Sequence, residues 1–227
     1  MRPLLLACFF LASSFLCAQP GAKQKFAAAA YAGVNLSQID GDYYFGYNKI
    51  GVRFGAETQI LLTPKSFVTV GVGFAQAGAK SNRSERKERG NNAIDLRLNT
   101  VEVPLLYNLR LGNKRFAGKK DNFKLYRSGV LQLGFVVSRL TSYTIETSGK
   151  TERLPRNFNF AAVEDEYRDW DVKVMVGVTI PTGLRGALFI QHNKSFVGLY
   201  RPNNSAYDEV LPLYPYSLSM GYKHILY

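Results

Sequence analysis

The chain has 227 residues, of which 46% are apolar and 20% are charged. This balance excludes an intrinsically disordered chain, because such chains have too few apolar residues to form a core. Lys and Arg number 29 against 17 Asp and Glu. No run of about 20 apolar residues lies beyond the N-terminus, which excludes a bundle of membrane-spanning helices.

The segment Met1–Ala18 predicts a secretory signal peptide, because a cation is followed by the apolar stretch Leu4–Phe15 and then by a cleavable end. Cys8 and Cys17 both lie in this segment. The mature chain, residues 19–227, therefore has no thiol for a disulfide bond, a metal site or catalysis. We expect these residues to form a single domain.

The mature chain alternates between apolar and polar residues. Within Ile50–Leu62, for example, Val52 and Phe54 share one face, while Arg53 and Glu57 share the other. A period of two predicts a β-strand, because successive side chains of a strand point to opposite sides of its sheet. Eight segments predict strands: Phe26–Leu36, Ile50–Leu62, Phe67–Gly78, Thr100–Leu111, Val130–Leu140, Asp171–Ile180, Gly186–Val197 and Leu211–Tyr227.

The connections between these strands alternate between short and long. The predicted turns are Thr63–Lys65, Gly112–Asn122 and Pro181–Arg185, and the predicted loops are Ser37–Lys49, Ser81–Ala93, Glu146–Glu166 and Tyr200–Val210. This succession indicates consecutive antiparallel strands with one plain end and one elaborate end. Eight such strands can close into an up-and-down barrel. No segment has a helical stripe, so no helix is predicted.

The period alone does not say which face of the sheet points inward. A soluble periplasmic barrel of the lipocalin type would bury the apolar face and bind a hydrophobic ligand there, whereas a transmembrane barrel turns that face to lipid. The polar face is rich in glycine and carries only scattered charges, which suits a narrow interior better than a water-exposed surface. The sequence therefore predicts an all-β, eight-stranded antiparallel transmembrane barrel, with the soluble barrel as the alternative.

Aromatic residues support the membrane interpretation, because they collect near both ends of the strands, as in the aromatic girdles of membrane barrels. At the loop end they are Tyr43, Tyr44, Phe45, Tyr47, Tyr143, Tyr200 and Tyr207, and at the turn end they are Phe67, Phe123, Tyr126, Tyr222 and Tyr227.

Two motifs resemble those of the PorT-like family of small outer-membrane β-barrels. Gly33-Val34-Asn35 is similar to the Gly-x-Asn opening strand of that family, and the segment Val101–Leu106 is similar to its Glu-(Ile/Val)-Pro-Leu-Leu strand. The resemblance implies an eight-stranded barrel in the outer membrane of a Gram-negative cell and no reaction. The namesake of the family takes part in a secretion apparatus. The chain departs from the family pattern at its end, where Ile225-Leu226-Tyr227 follow the last expected aromatic.

The charged residues of the polar face form a predicted lumen cluster: Arg53, Glu57, Glu102, Asp171 and Lys173. Two interpretations stay open. The cluster is either a transport or binding site, or a set of ion pairs that fills a narrow barrel. Eight strands leave an interior just wide enough for side chains, and buried charges need partners, which favours the second interpretation.

The second loop is strongly basic, and at the outer rim its Arg and Lys side chains suit lipopolysaccharide phosphates. The predicted contacts are Arg83, Arg86, Lys87 and Arg89, and a solvated loop is the alternative. The turn Gly112–Lys124 is also basic, and it would face the periplasm, where it could bind an acidic envelope partner. Nucleic acid is not expected, because an exported chain rarely meets it and these cations are not interleaved with aromatics.

Catalysis is not expected. His192 and Ser195 are the one pair that suggests a lipid hydrolase, but a separation of three residues in a strand places their side chains on opposite faces. No phosphate-binding, dinucleotide-binding or metalloprotease motif is present, so no cofactor is expected. The sequence thus predicts a monomeric, non-enzymatic outer-membrane barrel in contact with lipid and lipopolysaccharide, with a structural or adhesive role or a place in an envelope complex.

Overall fold

The computed structural model describes residues 26–42, 44–88, 93–111, 128–148, 166–183, 185–200 and 212–226. In these residues eight antiparallel strands pair in chain order, and β8 pairs with β1 to close a barrel. The strands are β1 (Phe26–Asp40), β2 (Lys49–Leu61), β3 (Ser66–Lys80), β4 (Ala93–Arg110), β5 (Val130–Ser148), β6 (Trp170–Pro181), β7 (Gly186–Ser195) and β8 (Tyr214–Ile225). The predicted barrel is confirmed. The predicted signal peptide Met1–Ala18 and turn Gly112–Asn122 lie outside the described residues.

The two faces of the sheet are arranged as the membrane interpretation requires. The apolar side chains point outward: Val52 is 47% exposed, Leu105 55% and Phe135 57%. The charged side chains of the same strands point inward, and Arg53 and Glu102 are each 2% exposed. Because hydrocarbon offers no hydrogen bonds, a sheet that crosses it must close on itself, and its outer face must be apolar.

Three strands extend by four residues or more beyond the predicted bounds at the loop end. β1 continues to Asp40 rather than Leu36, β4 begins at Ala93 rather than Thr100, and β5 continues to Ser148 rather than Leu140. β8, by contrast, is shorter than predicted at this end, because it begins at Tyr214 rather than Leu211. At the loop end the outward residues become polar and the inward residues become apolar, so the pattern used to predict the strands stops there and the extensions were missed.

β4 shows this exchange of polar and apolar faces most clearly. From Val101 to Leu109 its outward side chains are apolar, whereas above Val101 its outward residues are Asn99, Arg97 and Asp95. The ten residues from Val101 to Arg110 match the roughly 9–11 residues that a tilted strand needs to cross a bilayer. The outer edge of the hydrocarbon therefore lies between Asn99 and Val101, and the strand above it stands in water.

Above that edge an apolar cluster lies in the interior of the barrel. Leu96 and Leu98 of β4 are buried there with side chains from the loop end of the other strands and from the loops. The other members of this upper apolar core are Ile39, Tyr44, Ala79, Leu199, Tyr200 and Leu213. A sheet surrounded by water needs an apolar core, so the barrel is a membrane protein below Val101 and resembles a water-soluble protein above it.

Three aromatic predictions are wrong. Phe67, predicted in the girdle of the turn end, lies inside the barrel, where the Arg110 guanidinium stands 5.3 Å from its ring centre. Tyr44 and Tyr200, predicted in the girdle of the loop end, belong to the upper apolar core. Phe45, Tyr47, Tyr143 and Tyr222 are exposed. Tyr43, Phe123, Tyr126, Tyr207 and Tyr227 lie outside the described residues.

The one described helix, α1 (Arg83–Glu88), was not predicted. The Asn82 side chain accepts a hydrogen bond from the Glu85 amide at 2.9 Å, and the Glu85 carboxylate accepts one from the Asn82 amide at 2.7 Å. This reciprocal pair is a capping box, which satisfies two amides at the start of a helix. Six residues are too few for a helical stripe, so the Asn-x-x-Glu spacing is the local signal for this helix.

Glycines on the inner face make room for one large side chain. Tyr31 of β1 points into the barrel, and an added Cβ at Gly73 of β3 would collide with its hydroxyl oxygen. At Gly55 of β2 an added Cβ would approach the same oxygen to 2.7 Å. Because Gly55 and Gly73 have no side chains, they leave the space that the Tyr31 side chain occupies.

We predict that Gly73→Ala destabilises the barrel by about 1–3 kcal/mol through overpacking. Urea unfolding in detergent, followed by the mobility difference between folded and unfolded protein on gels, measures the change. Gly183→Ala is the matched control, because nothing lies within 4 Å of a Cβ added there. Tyr31→Phe removes the colliding hydroxyl, so combining it with Gly73→Ala should recover part of the lost stability. Equal stability of Gly73→Ala and Gly183→Ala would disprove the close contact between Gly73 and Tyr31.

Candidate functional site

Three residues of the predicted lumen cluster meet in the barrel. The Glu102 carboxylate lies between two cations: Lys173 Nζ is 2.8 Å from its Oε1, and Arg53 Nε is 3.2 Å from its Oε2. All three side chains are almost completely buried. Because two cations share one anion, this triad carries an excess positive charge, which polar neighbours must stabilise.

Neutral side chains supply these neighbours. The Arg53 Nη1 donates to the Gln191 Oε1 at 2.7 Å, and the Ser219 hydroxyl lies 3.4 Å from the same nitrogen. The Ser219 hydroxyl in turn donates to the Asn35 Oδ1 at 2.8 Å. Asn35 and Glu102 come from the two sequence motifs noted above, Gly33-Val34-Asn35 and Val101–Leu106, so both motifs contribute to the hydrogen-bonded interior.

The fourth predicted residue, Glu57, has a partner that sequence analysis missed. Lys223 Nζ of β8 lies 2.6 Å from its Oε1, and both side chains are buried. The amide of Gln59 donates to the same oxygen at 2.8 Å. Lys223 lies on the inner face of the last predicted strand, next to Gly221, so extending the alternation by two residues would have found it.

The fifth predicted residue, Asp171, does not join an ion pair among the described residues. Its carboxylate accepts a hydrogen bond from the Ser195 hydroxyl at 2.7 Å, and that hydroxyl accepts one from the Gly198 amide at 2.9 Å. His192 points to the outer face, where its Nε2 lies 3.1 Å from the Tyr47 hydroxyl. The prediction that His192 and Ser195 lie on opposite faces is confirmed.

Among the described residues, side chains fill the charged layer of the interior. A small cavity between them measures ≈ 10 Å³, about enough for one water molecule. Its lining is Tyr31, Arg53, Glu57, Pro104, Leu106, Phe189, Gln191 and Lys223. A hydrophobic ligand of the lipocalin kind has no room here and would lie against the buried charges of Arg53, Glu57 and Lys223, so the soluble alternative does not fit the structure.

Apolar layers bound this charged layer on both sides. The upper apolar core lies at the loop end, and Ala27, Phe67, Val130, Ala187 and Ile225 form a second apolar cluster at the turn end. A hydrated ion that entered from either side would have to displace one of these layers. The arrangement can therefore stabilise the barrel.

The described ranges hold no group of three His, Cys, Asp or Glu side chains that could bind a metal ion. Within the same ranges, no helix is long and apolar enough to cross a membrane.

The basic loop is hydrogen-bonded to the loop before it. The Glu85 Oε1 accepts a hydrogen bond from the Phe45 amide at 2.7 Å, so α1 is fastened to the loop between β1 and β2. Arg83 and Lys87, one helical turn apart, are exposed, as the predicted contacts with lipopolysaccharide require. Arg86 instead donates to the Ser81 carbonyl oxygen at 3.2 and 3.3 Å. Arg89 lies outside the described residues.

A second connection joins three strands above the membrane edge. Asp95 of β4 pairs with Lys49 of β2 and, at 3.0 Å, with Lys80 of β3. Burial tends to raise the pKa of the Asp95 carboxyl, but the hydrogen bonds and charges of both lysines outweigh it and hold that pKa below its usual value. Asp95 is therefore ionised at neutral pH and neutralised by its partners.

A closed antiparallel sheet with an apolar outer face and a charged, filled interior defines an integral membrane β-barrel. The sequence matches the family described as "Outer membrane protein beta-barrel domain" over residues 17–199, which is most of the chain. The chain belongs to this family and is an integral barrel of the outer membrane. The short turns of such barrels face the periplasm and the longer loops face the outside, so the upper apolar core and α1 are extracellular.

Three solved outer-membrane proteins match the chain over most of its length. Neisserial surface protein A is 12% identical with a TM-score of 0.41, and the match covers 88% of this chain and 97% of that one. Ail of Yersinia pestis is 11% identical with a TM-score of 0.39, over 88% and 99%. OprG of Pseudomonas aeruginosa is 9% identical with a TM-score of 0.36, over 91% and 98%. A comparison with curated proteins finds no match.

The buried pair of Glu57 and Lys223 generates a prediction. Glu57→Gln should destabilise the barrel by about 3–5 kcal/mol, because it leaves the Lys223 ammonium buried without an anion. Glu57→Gln combined with Lys223→Met removes both charges and should recover most of the loss. Urea unfolding in detergent measures both variants, and Lys65→Gln at an exposed turn is the control. A double variant as unstable as Glu57→Gln alone would contradict the pairing.

Proposed function

We propose that this barrel is a non-enzymatic surface protein whose extracellular part is a rigid adhesive or structural module. The observation that carries the proposal is the hydrogen bond of Glu85 to Phe45, which fastens α1 to the preceding loop above the upper apolar core. Loops held in one conformation lose little entropy on binding, and binding loops on a rigid scaffold are a common arrangement.

The filled interior supports a role without transport. The triad of Arg53, Glu102 and Lys173 is buried, and apolar layers separate it from both ends of the barrel. The conformational freedom of such a layer is small, since each charge is held by a partner of opposite sign or by a hydrogen bond. The barrel then serves as an anchor for the extracellular module.

A non-enzymatic role is supported by the positions of the candidate catalytic groups. The Ser195 hydroxyl is buried and donates to the Asp171 carboxylate, whereas His192 faces outward, so His192 lies out of reach as a base for Ser195. A serine nucleophile needs a base within hydrogen-bond reach.

Anionic carbohydrate is the binding partner that the charges favour. Arg83 and Lys87 share the exposed face of α1 and have no ionic partner among the described residues, so their donors are available to phosphate or sulfate groups. Lipopolysaccharide, as expected from the sequence, carries such groups. The proposal also includes export by the signal peptide Met1–Ala18 and a monomeric barrel.

The resemblance to the PorT-like family favours a second candidate function, as a component of an envelope or secretion complex. The residues that carry the resemblance, Asn35 and Glu102, lie in the interior and contact other interior residues. The stability of the barrel therefore explains why Asn35 and Glu102 are present, without a partner in a complex. For this reason the surface role is the first candidate function and the complex is the second. An acidic partner for the basic turn Gly112–Lys124 belongs to this second candidate.

Conductance tests the closed interior. Purified barrel in a planar bilayer should show no steady ion current, because no continuous water-filled path crosses the apolar layers. Glu102→Ala should not open a large pore either, since both layers remain. Steady large conductance of the wild-type protein would contradict the anchor role.

Adhesion tests the extracellular module. Cells that produce the barrel should be retained on dextran sulfate, and not on neutral dextran, more strongly than cells without it. Glu85→Ala removes two hydrogen-bond acceptors, each with a net value of about 1.5–3 kcal/mol for a charged group, so it should loosen α1 and lower retention.

Two comparisons make the adhesion result decisive. Arg83→Glu with Lys87→Glu should abolish retention, while Lys65→Glu at a periplasmic turn should not change it. Equal retention of cells with and without the barrel would overturn the adhesive role. A barrel that migrates with other proteins on native gels of mildly solubilised envelopes would favour the complex instead.

A further inference from the structure

A row of hydrogen-bonded polar side chains runs across the outer face of β3, β4 and β5 at the edge of the hydrocarbon. The Gln76 amide nitrogen donates to the Asn99 Oδ1 at 3.0 Å, and the Asn99 amide nitrogen donates to the Ser142 Oγ at 2.9 Å. Because Ser142 accepts this bond, its own hydroxyl hydrogen stays available to a further acceptor. The row lies directly above the lipid-facing Val101.

Two arginines flank this row on the outer surface. Arg139 of β5 pairs in register with Val101 of β4 and with Trp170 of β6, so it stands at the edge itself. Its guanidinium lies 5.5 Å from the centre of the Trp170 ring, which is 57% exposed. Arg97 of β4 lies one step above Asn99 on the same outer face and is also exposed.

Neither arginine has an ion-pair partner among the residues that the structure describes. The nearest anion on the outer face of β4, Asp95, is already neutralised by Lys49 and Lys80. Glu146 of β5 pairs in register with Asp95, and thus lies further from the membrane than Arg97. The outer surface of β4 and β5 is therefore positive at the level where the headgroups of the outer leaflet begin.

We propose that Arg97 and Arg139, with the Ser142 hydroxyl between them, bind the phosphate groups of an anionic glycolipid of the outer leaflet. Guanidinium groups form paired hydrogen bonds with phosphate, and a lipid phosphate is the anion found at this height. Trp170 holds Arg139 above the hydrocarbon, because an aromatic ring is favoured at a membrane interface and attracts a cation.

This site deepens the lipopolysaccharide contact of the proposed function but does not involve α1. Arg83 and Lys87 lie on an extracellular helix, whereas Arg97 and Arg139 lie on strands next to the lipid. Adhesion of whole cells and binding of a membrane lipid are separate measurements, so either proposal can fail while the other stands.

The test is a titration of the purified full-length barrel, in neutral detergent micelles, with bisphosphorylated lipid A. Trp170 is the only tryptophan of the chain, so its fluorescence reports directly on the arginine beside it. Native mass spectrometry counts the bound lipid independently. Arg97→Gln with Arg139→Gln should lower the affinity at least about tenfold, as expected for the loss of hydrogen bonds to a charged group.

Matched variants separate this site from general charge effects. Lys194→Gln removes a cation from the outer face of β7, where Lys194 Nζ pairs with Asp40 at 3.3 Å, and it should leave the affinity unchanged. Arg97→Lys with Arg139→Lys keeps both charges, should fold like the wild type and should bind with intermediate affinity, because lysine lacks the planar pair of donors.

Three results would overturn the proposal. One is a double glutamine variant, folded by gel mobility, that binds lipid A as tightly as the wild type. Another is an equal loss with Lys194→Gln, which would indicate attraction by net charge alone. The third is equal competition by inorganic phosphate at the concentration of the lipid, which would indicate a site for free phosphate. Dephosphorylated lipid A should not bind measurably.

Discussion

The structure depends on one constraint: in hydrocarbon, every backbone amide and carbonyl must find its hydrogen-bond partner within the protein. Eight strands meet this constraint only when β8 pairs with β1. Closure then fixes the direction of each side chain, since alternate residues must face lipid or a narrow interior. The apolar outer face, the small glycines beside Tyr31 and the buried ion pairs all follow from this closure.

The same chain satisfies a second environment where its strands leave the membrane. Above Val101 the outer residues of β4 become polar and its inner residues, Leu96 and Leu98, become apolar. A bulge helps β5 to follow this change: Asn99 pairs with Ser142 and Thr100 with Leu140, so Thr141 is an additional residue in β5. The extracellular part thereby gains a core of its own, on which the loops and α1 can be held.

Sequence reasoning predicted the barrel, its eight strands, the outward direction of the apolar face and a set of charged residues on the inner face, because all of these follow from one period. It did not predict the extensions of β4 and β5, because the same period continues there with the opposite sense. Lys223 could have been predicted as an inner residue, because the alternation of β8 continues through it. The capping of α1 by Asn82 and Glu85 is a local signal, but its attachment to Phe45 depends on the meeting of two loops. The sequence alone could not assign Arg139 to the proposed lipid site, because that assignment depends on its contact with Trp170 and on its pairing with Val101 in the folded sheet.

The barrel is separated into layers, and the proposed roles follow this separation. In the proposal, the charged middle layer stabilises the anchor, the cations at the edge of the hydrocarbon bind lipid phosphates, and the extracellular layer presents a binding surface. Each layer has a different neighbour: lipid tails, lipid headgroups and the medium outside the cell. The family assignment agrees with this division, since it places the chain in the outer membrane.

The most direct test of this account is a scan of single cysteines along β4 in protein expressed without residues 1–18, which has no native cysteine. A fluorophore at each position would be exposed to nitroxide-labelled lipids in reconstituted vesicles. The account predicts strong quenching at Leu105 and Tyr107, little at Leu106, and labelling by water-soluble reagents at Arg97 but not at Leu98. Quenching at Leu106 with protection of Leu105 and Tyr107 would contradict it, because the apolar face would then point inward.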